Sequence, residues 1–323
     1  MSNDNHVHTD SVSTPSLSRV AAQGQISRRA ALACGFAACA SAVGCTSVGS
    51  DKRPGAVPQS RFFDSAGVPI RYVEAGAGEP VVLTHGFSSS VESQWIQTGV
   101  FDKLVKQYRV IGIDGRGHGL SGKPHEASQY GPQAAHDVTR LLDHLGLQKA
   151  HIVGYSLGAI LNGYLVTQAP DRFKTCVLAG ATPRFRWTAE DQRKLDVEAD
   201  EMEQGSKKSQ ILRLWPKDQP LPSEDKIREL SAKDLAGQDY RALAASRRGG
   251  SKALITPAQV AAIRVKTLGI VGTADPYLAE FRAMQAINPS IELVTIEGAS
   301  HASAPGRPEL AEGILRFLAR QRG

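Results

Sequence analysis

The sequence predicts an α/β protein, with a mostly parallel sheet flanked by helices and one inserted helical segment. Three observations predict it. Short runs that are apolar at almost every position, such as Val81-Val82-Leu83 and Val110-Ile111-Gly112-Ile113, recur along the chain. Stretches of helical spacing alternate with them. A strand without polar positions needs cover on both faces, and crossover helices supply it to parallel sheets. The alternation stops between Pro183 and Ala262, where charged helical sequence replaces the strands.

Taken in order, Arg61–Phe63 and Ile70–Glu74 read as two strands around an Asp64-Ser65-Ala66-Gly67 turn. Val81–Thr84 is a buried strand ending in His85-Gly86. The spacing of Ile96, Val100, Phe101, Leu104 and Val105 predicts a helix over Trp95–Tyr108. Val110–Ile113 is a strand and Gln133–Leu145 a helix. His151–Val153, helix Leu157–Gln168 and strand Thr175–Leu178 follow. After residues 183–262, a strand over Thr267–Val271, a helix over Leu278–Ile287, a strand over Ile291–Ile296 and a helix over Glu309–Arg320 close the chain. The inserted segment, with Pro216, Pro220, Pro222 and a Gly249-Gly250 turn, is too long to be a bare loop and is expected to be a helical lid. Apolar and basic residues both line it, the apolar ones including Phe185, Trp187, Leu214 and Trp215. The α/β core would then comprise residues 61–182 and 263–323.

Composition narrows the function. The chain has 323 residues, 41% hydrophobic and 22% charged, with a net charge of +6. It can bury a sizeable core. Lys and Arg are scattered, without the dense basic stripe and interleaved aromatics that nucleic acid demands, so no nucleic-acid partner is expected.

The first residues carry a different signal. Ser27-Arg28-Arg29-Ala30-Ala31-Leu32 precedes a short, uncharged, small-residue run to Gly44. A positive start, a short apolar stretch and a small-residue exit describe an export signal over residues 1–44, too short to span a bilayer. It resembles a twin-arginine signal, an ordinary secretory signal being the alternative. Ala42-Val43-Gly44-Cys45 resembles a bacterial lipobox, which implies a lipid on Cys45, membrane anchoring through it, and a tether over residues 45–60. Cleavage after Ala40-Ser41-Ala42 would instead release a soluble exported protein. Cys176, in the apolar run Cys176-Val177-Leu178, is expected in the core.

The chemistry is expected at three strand ends. Gly154-Tyr155-Ser156-Leu157-Gly158 follows one strand and opens a helix, the setting in which G-x-S-x-G lifts a nucleophilic Ser above a sheet. Its glycines are expected because a Cβ at either place would crowd the neighbouring strand or helix. A Ser hydroxyl needs a base. His301, after the last strand, can swing over the sheet end beside Ser156. Asp275, in Gly272-Thr273-Ala274-Asp275-Pro276, supplies the carboxylate that orients an imidazole. Asp114, in Asp114-Gly115-Arg116-Gly117-His118-Gly119, reads as turn chemistry. The oxyanion donors are expected to be the backbone N–H groups of Leu157 and Phe87. Activity is expected to rise with pH as His301 loses its proton.

Together, His85-Gly86-Phe87, Asp114–Ser121, Gly154–Gly158, Gly272–Pro276 and Gly298–His301 resemble, in order, the motifs of an α/β-hydrolase with a lid. The resemblance covers residues 61–320. It implies a Ser-His-Asp hydrolase that needs no cofactor and usually cleaves carboxylic esters of small molecules. The same triad can also hydrolyse C–C bonds or perform cofactor-free perhydrolysis. Ala159 after Gly158, and the lack of a Trp after the nucleophile, depart from the proline-iminopeptidase pattern. A catalytically silent envelope binding module is the alternative from another class. Gly117–Lys123 spells G-x-x-x-x-G-K, but Pro124 replaces the Mg²⁺-binding hydroxyl, so no phosphate loop is expected. No metal motif occurs.

Overall fold

An eight-stranded sheet organises the chain in the computed structural model, which describes residues 58–321. The export signal, Cys45 and the tether up to residue 57 lie outside the described residues. Strands β1 (Arg61–Ser65) and β2 (Val68–Ala75) form an antiparallel hairpin. Its two-residue turn puts both Ala66 and Gly67 at positive φ, 55° and 82°, matching the right-handed twist of the pair. The other strands are β3 (Pro80–Thr84), β4 (Arg109–Ile113), β5 (Ala150–Tyr155), β6 (Phe173–Ala179), β7 (Lys266–Gly272) and β8 (Glu292–Ile296). These six are mutually parallel, in the spatial order β4-β3-β5-β6-β7-β8, and β2 joins β4 antiparallel.

Apolar runs are explained by two separate cores. Val82, Ile111, Ile152, Cys176 and Leu178 point to one face of the sheet. There they pack on α2 (Pro132–His144), α3 (Leu157–Gln168) and α9 (Leu278–Ile287). Their neighbours Val81, Leu83, Val110, Val153 and Val177 point to the other face. They meet Trp95, α1 (Val100–Val105) and α10 (Pro308–Ala319). Each strand therefore buries successive side chains on opposite sides. Cys176 is fully buried in the first core and forms no disulfide among the described residues.

Two sequence expectations need correction. The single helix over 95–108 is broken: a π-helical turn at Glu92–Ile96 and α1 flank Gly99, whose φ of 74° no continuous helix accepts. Gly249 and Gly250 do not form a turn. They end helix α7 (Tyr240–Gly250), where a Cβ on Gly249 would stand 2.0 Å from the Ala127 carbonyl oxygen, so close backbone packing sets the residue type.

The 183–262 segment, between β6 and β7, also holds α4 (Ala189–Glu203), α5 (Lys208–Leu214), α6 (Glu224–Leu235) and α8 (Pro257–Ala261). Local chemistry starts these helices. Thr188 with Asp191 and Thr256 with Gln259 form capping boxes, while Ser223 and Asp239 accept from Lys226 N and Ala242 N. The segment has a small core of Ala199, Met202, Leu235, Leu243 and Ala244, onto which Phe87 packs.

Candidate active site

Strand β5 ends at Tyr155, and the chain turns sharply into α3. Ser156 takes φ 52° and ψ −110°, a strained conformation for a side-chain-bearing residue. Three things hold it there. Its N–H donates to Ala179 O at 2.8 Å, and the Gly158 N–H donates to His85 O at 3.1 Å. The two glycines allow the approach, since a Cβ on Gly154 would lie 2.5 Å from Gly158 C and one on Gly158 2.4 Å from Thr84 O. The strain lifts the Ser156 hydroxyl clear of the sheet.

The loops after β7 and β8 bring the other two expected residues to it. His301 Nε2 lies 3.0 Å from Ser156 Oγ, and His301 Nδ1 lies 2.9 Å from Asp275 Oδ2. A carboxylate accepts, so Nδ1–H donates to Asp275 and Nε2 is left to accept the Ser156 proton. Asp275 and His301 are buried, and Asp275 Oδ1 also accepts from Tyr277 N at 3.0 Å. The base is fixed from behind as well: the Tyr155 hydroxyl donates to the His301 carbonyl.

Phe87 and Leu157, the expected oxyanion donors, line the same cavity as Ser156. The loop that carries Phe87 is anchored on both sides. The His85 Nδ1–H donates to Gly86 O at 2.7 Å, and Nε2 accepts from Gly115 N at 3.0 Å. That arrangement needs a neutral ring, and burial lowers the His85 pKa accordingly. From the inserted helices, Lys207 Nζ donates to Ser88 Oγ and to Asp234 Oδ2, both at 2.8 Å.

Other expected residues fall outside this cluster. Asp114 is fully buried in its turn, accepting from Val91 N, Leu120 N and Arg71 Nη1, and so holds the loop rather than any substrate. The Lys123 ammonium donates to Gly119 O and Ser121 O, closing the G-x-x-x-x-G-K turn on itself. Trp215 turns to Pro220 O through its indole N–H, whereas Phe185, Trp187 and Leu214 line the cavity.

The cavity beside Ser156 measures about 290 Å³. Its lining holds residues that the motifs did not signal: Arg184, Arg213 and Arg247, all from the inserted segment. Glu198 lies beneath them, with Arg213 Nε at 2.6 Å and Arg247 Nε at 3.2 Å. Burial alone would raise the Glu198 pKa, but the Arg247 and Arg213 guanidinium groups hold it below the usual carboxylate range. Charged residues in a helical insertion usually mark a solvated face, so only their placement reveals them.

A family model for the alpha/beta hydrolase fold matches residues 79–304. The chain belongs to that family. It is similar to the 2-hydroxy-6-oxo-2,4-heptadienoate hydrolase of Pseudomonas putida, 34% identical over 38% of this chain and 44% of the relative. It is 31% identical to the 2-(acetamidomethylene)succinate hydrolase of Mesorhizobium japonicum, over 43% of this chain and 49% of the relative. The matched stretch thus spans less than half the length of these curated relatives. Among solved structures, a thermophilic esterase from Thermogutta terrifontis superposes with a TM-score of 0.67 at 21% identity, covering 82% of this chain and all of the esterase. The hydrolase fold expected from the sequence is shown.

Proposed function

We propose that this α/β hydrolase is an exported carboxylic-ester hydrolase acting through an acyl-enzyme. The observation that carries the reading is the relay from Asp275 through His301 to Ser156, at 2.9 and 3.0 Å. Ser156 Oγ attacks the acyl carbon while His301 Nε2 takes its proton, and Asp275 stabilises the imidazolium. The Phe87 and Leu157 N–H groups receive the oxyanion, a contribution of about 2.7–4 kcal/mol for one such donor. The intermediate collapses as His301 protonates the leaving alcohol. Water then gives a proton to His301 and attacks the acyl carbon, and His301 returns that proton to Ser156 Oγ as the acyl–Oγ bond breaks, releasing the acid and restoring Ser156. The helices of residues 183–262, which contribute much of the cavity wall, act as the lid.

Export rests on the Arg28-Arg29 leader, and anchoring on a lipid at Cys45. Mass spectrometry of the mature chain tests both: a diacylglyceryl Cys45 at the N-terminus supports anchoring, and an N-terminus at Ser2 contradicts export.

A panel of aryl esters of increasing acyl length tests the reaction, with turnover lost in Ser156→Ala. A second reading has the same triad cleave a C–C bond. It is favoured by the similarity to a hydrolase of an oxo-dienoate, a compound without an ester. Turnover of a vinylogous 1,5-diketone acid with no aryl ester turnover would decide for it, and peroxide-dependent halogenation alone would decide for perhydrolysis.

A further inference from the structure

We propose that the cavity beside Ser156 contains a carboxylate subsite centred on Arg247, so that the preferred substrate carries a free carboxylate as well as the bond to be cleaved. The inference rests on Ser156 being the nucleophile and deepens that reading by naming the substrate class. Arg247 is only 7% exposed and stands in the cavity wall. Its Nη2 has no hydrogen-bond partner among the described residues. Its Nε lies 3.2 Å from Glu198 Oε2, an ion pair by distance that is not aligned as a hydrogen bond. A buried donor left open is costly, and the protein tolerates it where a ligand completes it.

Charge around the cavity points the same way. Glu198 is shared by Arg213 and Arg247, and Arg213 takes the closer contacts. Arg184 donates to Gly250 O, a neutral carbonyl. Three guanidinium groups thus face one buried carboxylate, and burial pushes both Arg184 and Arg247 down to about 10 from 12.5. Both remain cationic at neutral pH. Asp191 and Glu280 also line the cavity, but basic side chains outnumber acidic ones in its wall, so an anion entering it relieves an excess of positive charge. The planar fork of a guanidinium matches a carboxylate. Gln210, also in the wall, has a buried side-chain oxygen with no hydrogen-bond partner among the described residues. The cavity volume of about 290 Å³ restricts the substrate to a compact acid.

The subsite is coupled to the reacting end. The Arg247 guanidinium lies over the Phe87 ring, 3.8 Å from its centroid, and the Phe87 N–H is the expected oxyanion donor. A carboxylate bound to Arg247 therefore sits next to the loop that must receive the oxyanion.

The test compares the mono-4-nitrophenyl ester of glutaric acid with 4-nitrophenyl butyrate. The wild-type protein should prefer the acidic ester in kcat/KM, and Arg247→Met should lower that preference at least about tenfold, the effect of losing a charge-assisted hydrogen bond. Arg247→Lys should keep part of it. Binding is read separately: glutarate should raise the melting temperature of Ser156→Ala, and 1,5-pentanediol should not. A preference unchanged in Arg247→Met, or equal shifts by acid and diol, would overturn the subsite while leaving ester hydrolysis standing. If neither ester is turned over but glutarate still stabilises Ser156→Ala, the ester reading fails and the subsite stands. Should Arg247→Met not fold, the glutarate and pentanediol comparison decides alone.

Discussion

The Tyr155 hydroxyl donates its hydrogen bond to the carbonyl oxygen of His301, linking the residue before the proposed nucleophile to the proposed base across 146 positions of sequence. The two rings lie 5.5 Å apart, and the phenol is buried. The strand that sets Ser156 therefore also sets the loop that must reach it. Tyr155→Phe keeps the ring and leaves a buried carbonyl unpaired. The expected result is a fall of about tenfold in kcat with little change in KM, and a lower melting temperature. Steady-state kinetics on an aryl ester, with a thermal melt, measures both.

Asp275→Asn should keep the hydrogen-bonding shape but favour the wrong imidazole tautomer. A loss of about 10⁴ in kcat is expected by analogy with the serine-protease triad. Activity close to wild type in this variant would mean that His301 is oriented by something other than Asp275.

Acid should destabilise the fold through His118. The ring is buried, its Nδ1–H donates to Arg116 O at 3.0 Å, and its Nε2 has no partner among the described residues. Burial, and then the neighbouring His85, push its pKa from 6.5 down to about 3. The unfolded chain takes up this proton below about 6.5 and the folded chain does not. Stability therefore falls as pH drops from about 6.5 towards 3, by up to about 1.4 kcal/mol per pH unit for one such group. His118→Asn, which keeps a donor and takes no proton, should flatten the dependence of urea midpoint on pH. Parallel curves for the two proteins would assign the acid sensitivity elsewhere.

Gly158→Ala should cost about 2 kcal/mol or more, because its methyl would stand 2.4 Å from Thr84 O at the junction of α3 with β3. The same shift would move Leu157, so ester turnover should fall along with the melting temperature. A variant as stable and active as wild type would show that the turn is looser than its contacts imply.

Much of this was legible in the chain itself. Apolar runs such as Ile152-Val153 reveal strands buried on both faces, and the motif around Ser156 reveals its turn because strand and helix signals flank it. His301 and Asp275 could be placed because each follows a strand end, where loops converge. What was not legible depends on contacts between distant segments. Gly99 breaks a helix that the apolar spacing joins, and nothing local tells a breaking glycine from a tolerated one. Gly249 looked like a turn because its reason, the Ala127 carbonyl, lies far away in sequence. Arg184, Arg213 and Arg247 are spaced like surface charges, and only the packing of α5 and α7 around Glu198 of α4 brings Arg213 and Arg247 together with Arg184 beside Ser156.

The most direct test of the account is covalent labelling with a fluorophosphonate, followed by peptide mass spectrometry. The prediction is one phosphonyl group per chain, located on Ser156, absent from Ser156→Ala and much slower to form in His301→Gln. An adduct on another residue, or aryl-ester turnover surviving in Ser156→Ala, would contradict it.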